Sequence, residues 1–173
     1  MKKIFSIIVC LIVSLSLFGK TYTISQEGID FIKRYEKCVL TAYPDAGGWT
    51  IGWGHHGKDV YEGMKITQAE ADRLFREDIR RFEKAINKLI DDLPYEYEFS
   101  QGFIDGFISF TYTCGEGSVK RSMFYQRLKN CRVKDGVMNQ EDYNFTIATL
   151  RDSKISAPGL VKRRYEEHKM MLS

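Results

Sequence analysis

The stretch RYEKCVLTAYPDAGGWTIGWGHH, Arg34 to His56, decides how the chain folds. Val39 to Tyr43 and Trp49 to Trp53 alternate like short half-buried strands. Pro44, Asp45, Gly47, Gly48 and Gly57 punctuate them with turn residues, so the segment predicts a small antiparallel sheet. Two acids, Glu36 and Asp45, stand nine positions apart in this stretch, and Thr50 follows after four intervening residues.

Upstream, TISQEGIDFIKRYEKC reads as a helix with Ser25 as its N-cap. Ile29, Ile32 and Glu36 share one helical face, which sets Glu36 on the apolar side. A carboxylate there loses hydration unless a cation answers it. Downstream, Thr67-x-x-Glu70 is a capping box that opens a long amphipathic helix through Ala71, Leu74, Phe75, Phe82, Ile86, Leu89 and Ile90, closed before Pro94. A second helix follows Ser100, with Phe103, Phe107 and Phe110 as a core stripe ending near Gly115. Residues 118–130, 139–151 and 158–171 are shorter helix candidates, and Pro158 suits a first helical turn. The expected fold class is α+β and mainly helical: a small antiparallel β-lobe, about 38–66, joined by a long helix to a helical-bundle lobe, about 67–173.

The chain has 173 residues, 43% hydrophobic and 28% charged, which fits a single globular domain with a real core. Residues 1–19 stand apart: Lys2 and Lys3 precede an apolar run, Ile4 to Phe18, too short for an ordinary spanning helix. This segment is read as a cleaved signal peptide, with a signal-anchor as the alternative, leaving 20–173 as the mature domain. The expected location is therefore exported, periplasmic or secreted, with membrane contact only through that segment.

The net charge of +3 falls to +1 without residues 1–19. Residues 118–173 hold 12 basic and 6 acidic side chains, a surplus that could meet a polyanion or simply clothe helix surfaces. No nucleic-acid-binding motif is present. Cys38, Cys114 and Cys131 with His55, His56 and His168 match no metal-ligand spacing, so neither metal nor cofactor is expected. An exported chain could bridge Cys114 to Cys131, although the sequence assigns no pairing.

Two carboxyl groups flanking a sugar–sugar bond can hydrolyse it, one giving a proton to the leaving oxygen and the other acting from the opposite face. Glu36 is the candidate acid and Asp45, in a Pro-Asp-Ala-Gly-Gly turn, the ionised partner. Thr50 could hold a water beside Asp45. The bland alternative is an Asp that merely closes a turn.

Taken together, Glu36-x8-Asp45-x4-Thr50, WTIGWGH and PGLVKRR resemble the phage-type lysozymes, glycoside hydrolase family 24. The similarity continues through ITQAEADRLFREDIRRFEKAI (Ile66–Ile86) and FISFTYTCGEGSVKRSMFYQRLKN (Phe107–Asn130), covering roughly residues 25–170. The resemblance implies a monomeric muramidase that hydrolyses the β-1,4 bond between N-acetylmuramic acid and N-acetylglucosamine in peptidoglycan. It places the proton donor on Glu36, the second carboxylate on Asp45 and a water-placing hydroxyl on Thr50. Inversion, the family's stereochemistry, needs a carboxyl gap of about 6.5–9.5 Å. His55 matches a histidine that pairs with an aspartate of the long helix, here Asp78, as a structural tie. Arg163 and Arg164 are candidates to bind substrate carboxylates or to pair with Glu36. The chain departs from the family at two points: one residue fewer between Asp45 and Thr50, and Thr113 where an asparagine is usual. Those departures leave a non-catalytic wall-binding protein as the alternative, and a lytic transglycosylase as a further one.

Overall fold

The structure, a computed structural model, describes residues 20–45, 47–151 and 158–173. The leader assigned to residues 1–19 lies outside the described residues. No helix among the described residues is long and apolar enough to cross a membrane.

Helix α1 (Gln26–Tyr35) starts where Ser25 Oγ accepts from Gly28 N at 3.1 Å. It stops one residue short of Glu36, which is its C-cap, with φ −93° and ψ 130°. The helical-face argument therefore does not place Glu36. The chain has already turned extended to enter the sheet, and only the Glu36 backbone N–H still donates to Ile32 O, at 3.0 Å.

Strands β1 (Val39–Asp45), β2 (Gly48–Gly52) and β3 (His55–His56) form an antiparallel sheet in that order. The register pairs Asp45 with Gly48, Tyr43 with Thr50, and Thr50 with His56. Because side chains alternate along a strand, Asp45, Tyr43, Thr50 and His56 share one face. Ala42 and Ile51 lie on the other, buried with Val60 and Leu74 of the long helix. A one-residue change in register would have reversed these faces. The shortened Asp45–Thr50 interval instead ends in a tight turn with Gly47 at φ 94°, and Thr50 stays on the Asp45 side.

Helix α2 (Gln68–Asp91) joins the sheet to the bundle. Thr67 Oγ1 accepts from Glu70 N at 3.2 Å, but the Glu70 carboxylate is held by Arg73 at 2.8 Å, so half of the capping box forms as expected. Helix α3 (Gln101–Cys114) is the bundle's centre, buried from Phe103 to Thr111. Phe103, Phe107 and Phe110 each pack against Phe124, with centroids 6.2, 5.3 and 5.8 Å apart. Burying a large apolar side chain contributes about 2–3 kcal/mol, so this stripe anchors the bundle lobe. Helices α4 (Glu116–Arg121) and α5 (Met123–Leu128) divide the expected 118–130 helix at Ser122, whose side chain caps the second. A hairpin that periodicity misses, β4 (Val133–Lys134) with β5 (Val137–Met138), follows. Its signal was Asp135-Gly136, both at positive φ, 51° and 75°. Helices α6 (Gln140–Arg151) and α7 (Pro158–Met171) complete the bundle, with α7 against α3. Cys38, Cys114 and Cys131 are free thiols, so the Cys114–Cys131 bridge is not formed.

Candidate active site

Glu36 leaves α1 with its carboxyl divided between two neighbours. Oε1 accepts from Arg163 Nη1 at 2.6 Å. Oε2 faces Gly54 in the β2–β3 turn, where a β-carbon added to the glycine would stand 3.6 Å away. Gly54 sits at φ 99°, a conformation that favours glycine, so the turn both needs glycine and leaves the carboxyl uncrowded. The Glu36 side chain is 24% exposed while that of Arg163 is 3% exposed, so the acid lies at the boundary between core and solvent.

Arg163 is held from behind. Its Nε donates to Glu167 Oε1 at 3.1 Å and its Nη2 to Ser109 Oγ at 3.2 Å. Ser109 Oγ donates to the same Glu167 oxygen at 2.6 Å, and Arg164 pairs with the other. Glu167 is fully buried, and Arg164 is 1% exposed with a further contact to Cys114 Sγ at 3.4 Å. Two guanidiniums thus face two carboxylates. Such a buried set is tolerable only with its charges matched and its donors used. Of the two expectations for this pair of arginines, the structure forms the pairing with Glu36, through Arg163. Their guanidiniums are buried and engaged by Glu36 and Glu167. Sequence reasoning missed Glu167, although Arg-Arg-x-x-Glu puts it at the i+4 and i+3 positions that helical arginines reach.

Asp45 is exposed at the tip of the β1–β2 hairpin. Tyr43 shares the Asp45 face of the sheet, two residues earlier on β1. Its phenol is pushed above the ordinary tyrosine value first by burial, then by the Asp45 charge, then by that of Glu36. Both carboxylates are thus near enough to act on that one hydroxyl. Thr113, at the other point of departure, turns its Oγ1 back to Ser109 O at 3.0 Å within its own helix.

Thr50 is 2% exposed, and its Oγ1 lies 3.2 Å from His56 Nδ1. His55, one position earlier, points to the opposite face, with Nδ1 2.8 Å from Asp78 Oδ2 and Nε2 3.1 Å from Asp59. The Asp78 hydrogen bond outweighs burial and, with the charges of Asp78 and Asp59, raises the His55 pKa. Trp53 donates to Asp72 at 2.8 Å and packs near Phe75, tying the sheet to α2. Lys33 reaches the same Asp72 oxygen at 2.8 Å. The described residues hold no group of three or more His, Cys, Asp and Glu that could bind a metal.

Residues 33–167, spanning Glu36, Asp45, Thr50 and Arg163, match the family described as phage lysozyme. The chain belongs to that family. It is 31% identical over 153 residues to an endolysin of Bacillus phage B103, covering 87% of this chain and 54% of that protein. It thus spans about half the length of that relative, and the same holds for the endolysin of Bacillus phage PZA. An endolysin of Acyrthosiphon pisum secondary endosymbiont phage 1 is 32% identical over 146 residues, covering 83% of this chain and 94% of the relative. Among solved structures, the endolysin from Escherichia coli O157:H7 phage FAHEc1 superposes with a TM-score of 0.71 at 27% identity, over 90% of this chain and 97% of that one. The mixed architecture, a small sheet on a mainly helical body, is the phage lysozyme fold.

Proposed function

We propose that the domain is a muramidase: it hydrolyses the β-1,4 bond between N-acetylmuramic acid and N-acetylglucosamine in bacterial peptidoglycan. The observation that carries this reading is Glu36, held by Arg163 with its other oxygen facing Gly54 of the same small sheet whose first hairpin carries Asp45, in a chain of the phage lysozyme family. The endolysin names of its relatives point the same way.

In the proposed reaction Glu36 gives its proton to the glycosidic oxygen as that C–O bond breaks. Arg163 holds Oε1, so Oε2, beside Gly54, is the oxygen turned to the leaving group. Asp45 takes a proton from a water whose oxygen bonds to the anomeric carbon from the other face. The two products are a free reducing end and a hydroxyl on the leaving sugar, and Glu36 and Asp45 exchange their protonation states during the step. His55 and Asp78 are assigned a structural part, fixing β3 on α2.

The reading includes export. The Lys2-Lys3 start and the apolar run that follows support it, as does a 29% identical relative, of Enterobacteria phage PA-2, described as a SAR-endolysin.

The experiment is clearing of a purified wall suspension, with the released fragments mapped by mass spectrometry. Muramidase action yields reducing N-acetylmuramic acid ends, and Glu36→Gln stops clearing while wall binding survives. Anhydro ends would assign a transglycosylase. Clearing by Glu36→Gln at the wild-type rate would remove Glu36 from the chemistry.

A further inference from the structure

We propose that His56, rather than Thr50, is the side chain that meets the attacking water beside Asp45, and that Thr50 serves to hold the imidazole. The inference rests on the muramidase reading above. It starts from a mismatch between Thr50's exposure and its expected task. A hydroxyl that places a water must reach solvent, yet Thr50 is 2% exposed and its Oγ1 is taken up by His56 Nδ1 at 3.2 Å. His56 is the exposed member of that pair.

The imidazole lies on the face of the sheet that carries Asp45. Thr50 and His56 are register partners, so both project to the face that carries Tyr43 and Asp45. The far edge of the ring passes over Gly48. A β-carbon added to Gly48 would stand 3.1 Å from His56 Cε1 and 3.6 Å from Nε2. Gly48 is the residue directly across the ladder from Asp45. Paired positions in an antiparallel ladder are about 5 Å apart, so the Nε2 edge hangs at the Asp45 end of the hairpin. Any larger residue at position 48 would push the ring away from that end.

The bond to Thr50 is compatible with the tautomer this role needs. When the Thr50 hydroxyl donates to Nδ1, the neutral ring keeps its hydrogen on Nε2. Nε2–H then donates to the water oxygen, one water hydrogen goes to Asp45, and a lone pair remains for the anomeric carbon. His55 cannot share this task. It faces α2, where Asp78 and Asp59 occupy both of its nitrogens.

The test compares His56→Ala, Thr50→Val and the double variant on a soluble peptidoglycan oligomer, beside wild type and Glu36→Gln. His56→Ala is expected to lower kcat by roughly 10–100-fold, with KM changed by less than about twofold. Added imidazole should restore part of the rate. The double variant should be no slower than His56→Ala, because Thr50 acts only through the ring. Thermal melting checks that the exposed substitution leaves the fold intact. The ¹⁵N chemical shifts of His56 supply a readout independent of turnover, with hydrogen on Nε2 expected. The proposal is overturned by His56→Ala turning over at the wild-type rate, by a double variant slower than His56→Ala, or by hydrogen on Nδ1. Failure of the muramidase reading looks different: wild type itself releases no reducing ends, or Glu36→Gln keeps full activity.

Discussion

Arg163 Nη1 lies 2.6 Å from Glu36 Oε1 although 127 positions separate the two residues. The contact joins the last helix to the end of the first and fixes the proposed acid from inside the bundle. It is one arm of a buried set, so disturbing it exposes the rest. Arg163→Met should leave Glu36 and Glu167 short of a partner and cost about 3–5 kcal/mol, read as a lowered urea midpoint. An unchanged midpoint would mean that the guanidinium is not needed to balance the two acids.

Asp45→Asn keeps the shape of the hairpin end and removes the proposed proton acceptor. The expected result is a loss of about 10²–10⁴-fold in kcat with little change in KM, measured on the soluble oligomer.

Gly54→Ala tests the space beside Oε2. The added methyl would sit 3.6 Å from that oxygen, on a backbone at φ 99°. Strain there should cost about 1–2 kcal/mol. Clearing should fall further than stability alone explains, because the methyl stands where the glycosidic oxygen must approach. Full clearing by a folded Gly54→Ala protein would place the leaving group elsewhere.

The His55–Asp78 pair predicts a pH dependence of stability. Its Asp78 partner raises the folded-state pKa of His55 above the unfolded value near 6.5, so the native state binds the proton more tightly. The stabilisation is complete below the unfolded value and fades as pH climbs through the folded one. Asp78→Asn should flatten this slope, leaving only the Asp59 contribution, and cost about 3 kcal/mol at mildly acidic pH, because it removes one partner of a buried pair. Unfolding free energies measured across that range check the sign. A native state that gains stability from the pair as pH rises would contradict it.

The core was legible from local periodicity. Phe103, Phe107 and Phe110 recur at helical spacing and are buried, and Ser25, Thr67 and Ser100 each cap the helix they announce. Errors came where a neighbouring element overrides the local pattern. Glu36 fits the helical face by spacing, yet the strand that follows pulls it out of the helix as a C-cap. The pairing of Arg163 with Glu36 was open to the sequence, but the enclosure of both arginines by α3 and Glu167 was not.

The sequence by itself determined most of the helices and the first sheet, where α1, α2 and α3 start and which acids stand near the turn, because caps, turn residues and periodicity act within a few positions. Only the tertiary structure decided what those acids face. The Arg163 guanidinium, the shared Tyr43 phenol and the opposite aims of His55 and His56 depend on sheet register and on contacts between distant segments. Such contacts form when buried charges must find partners across the fold, and no local pattern specifies which partner they find.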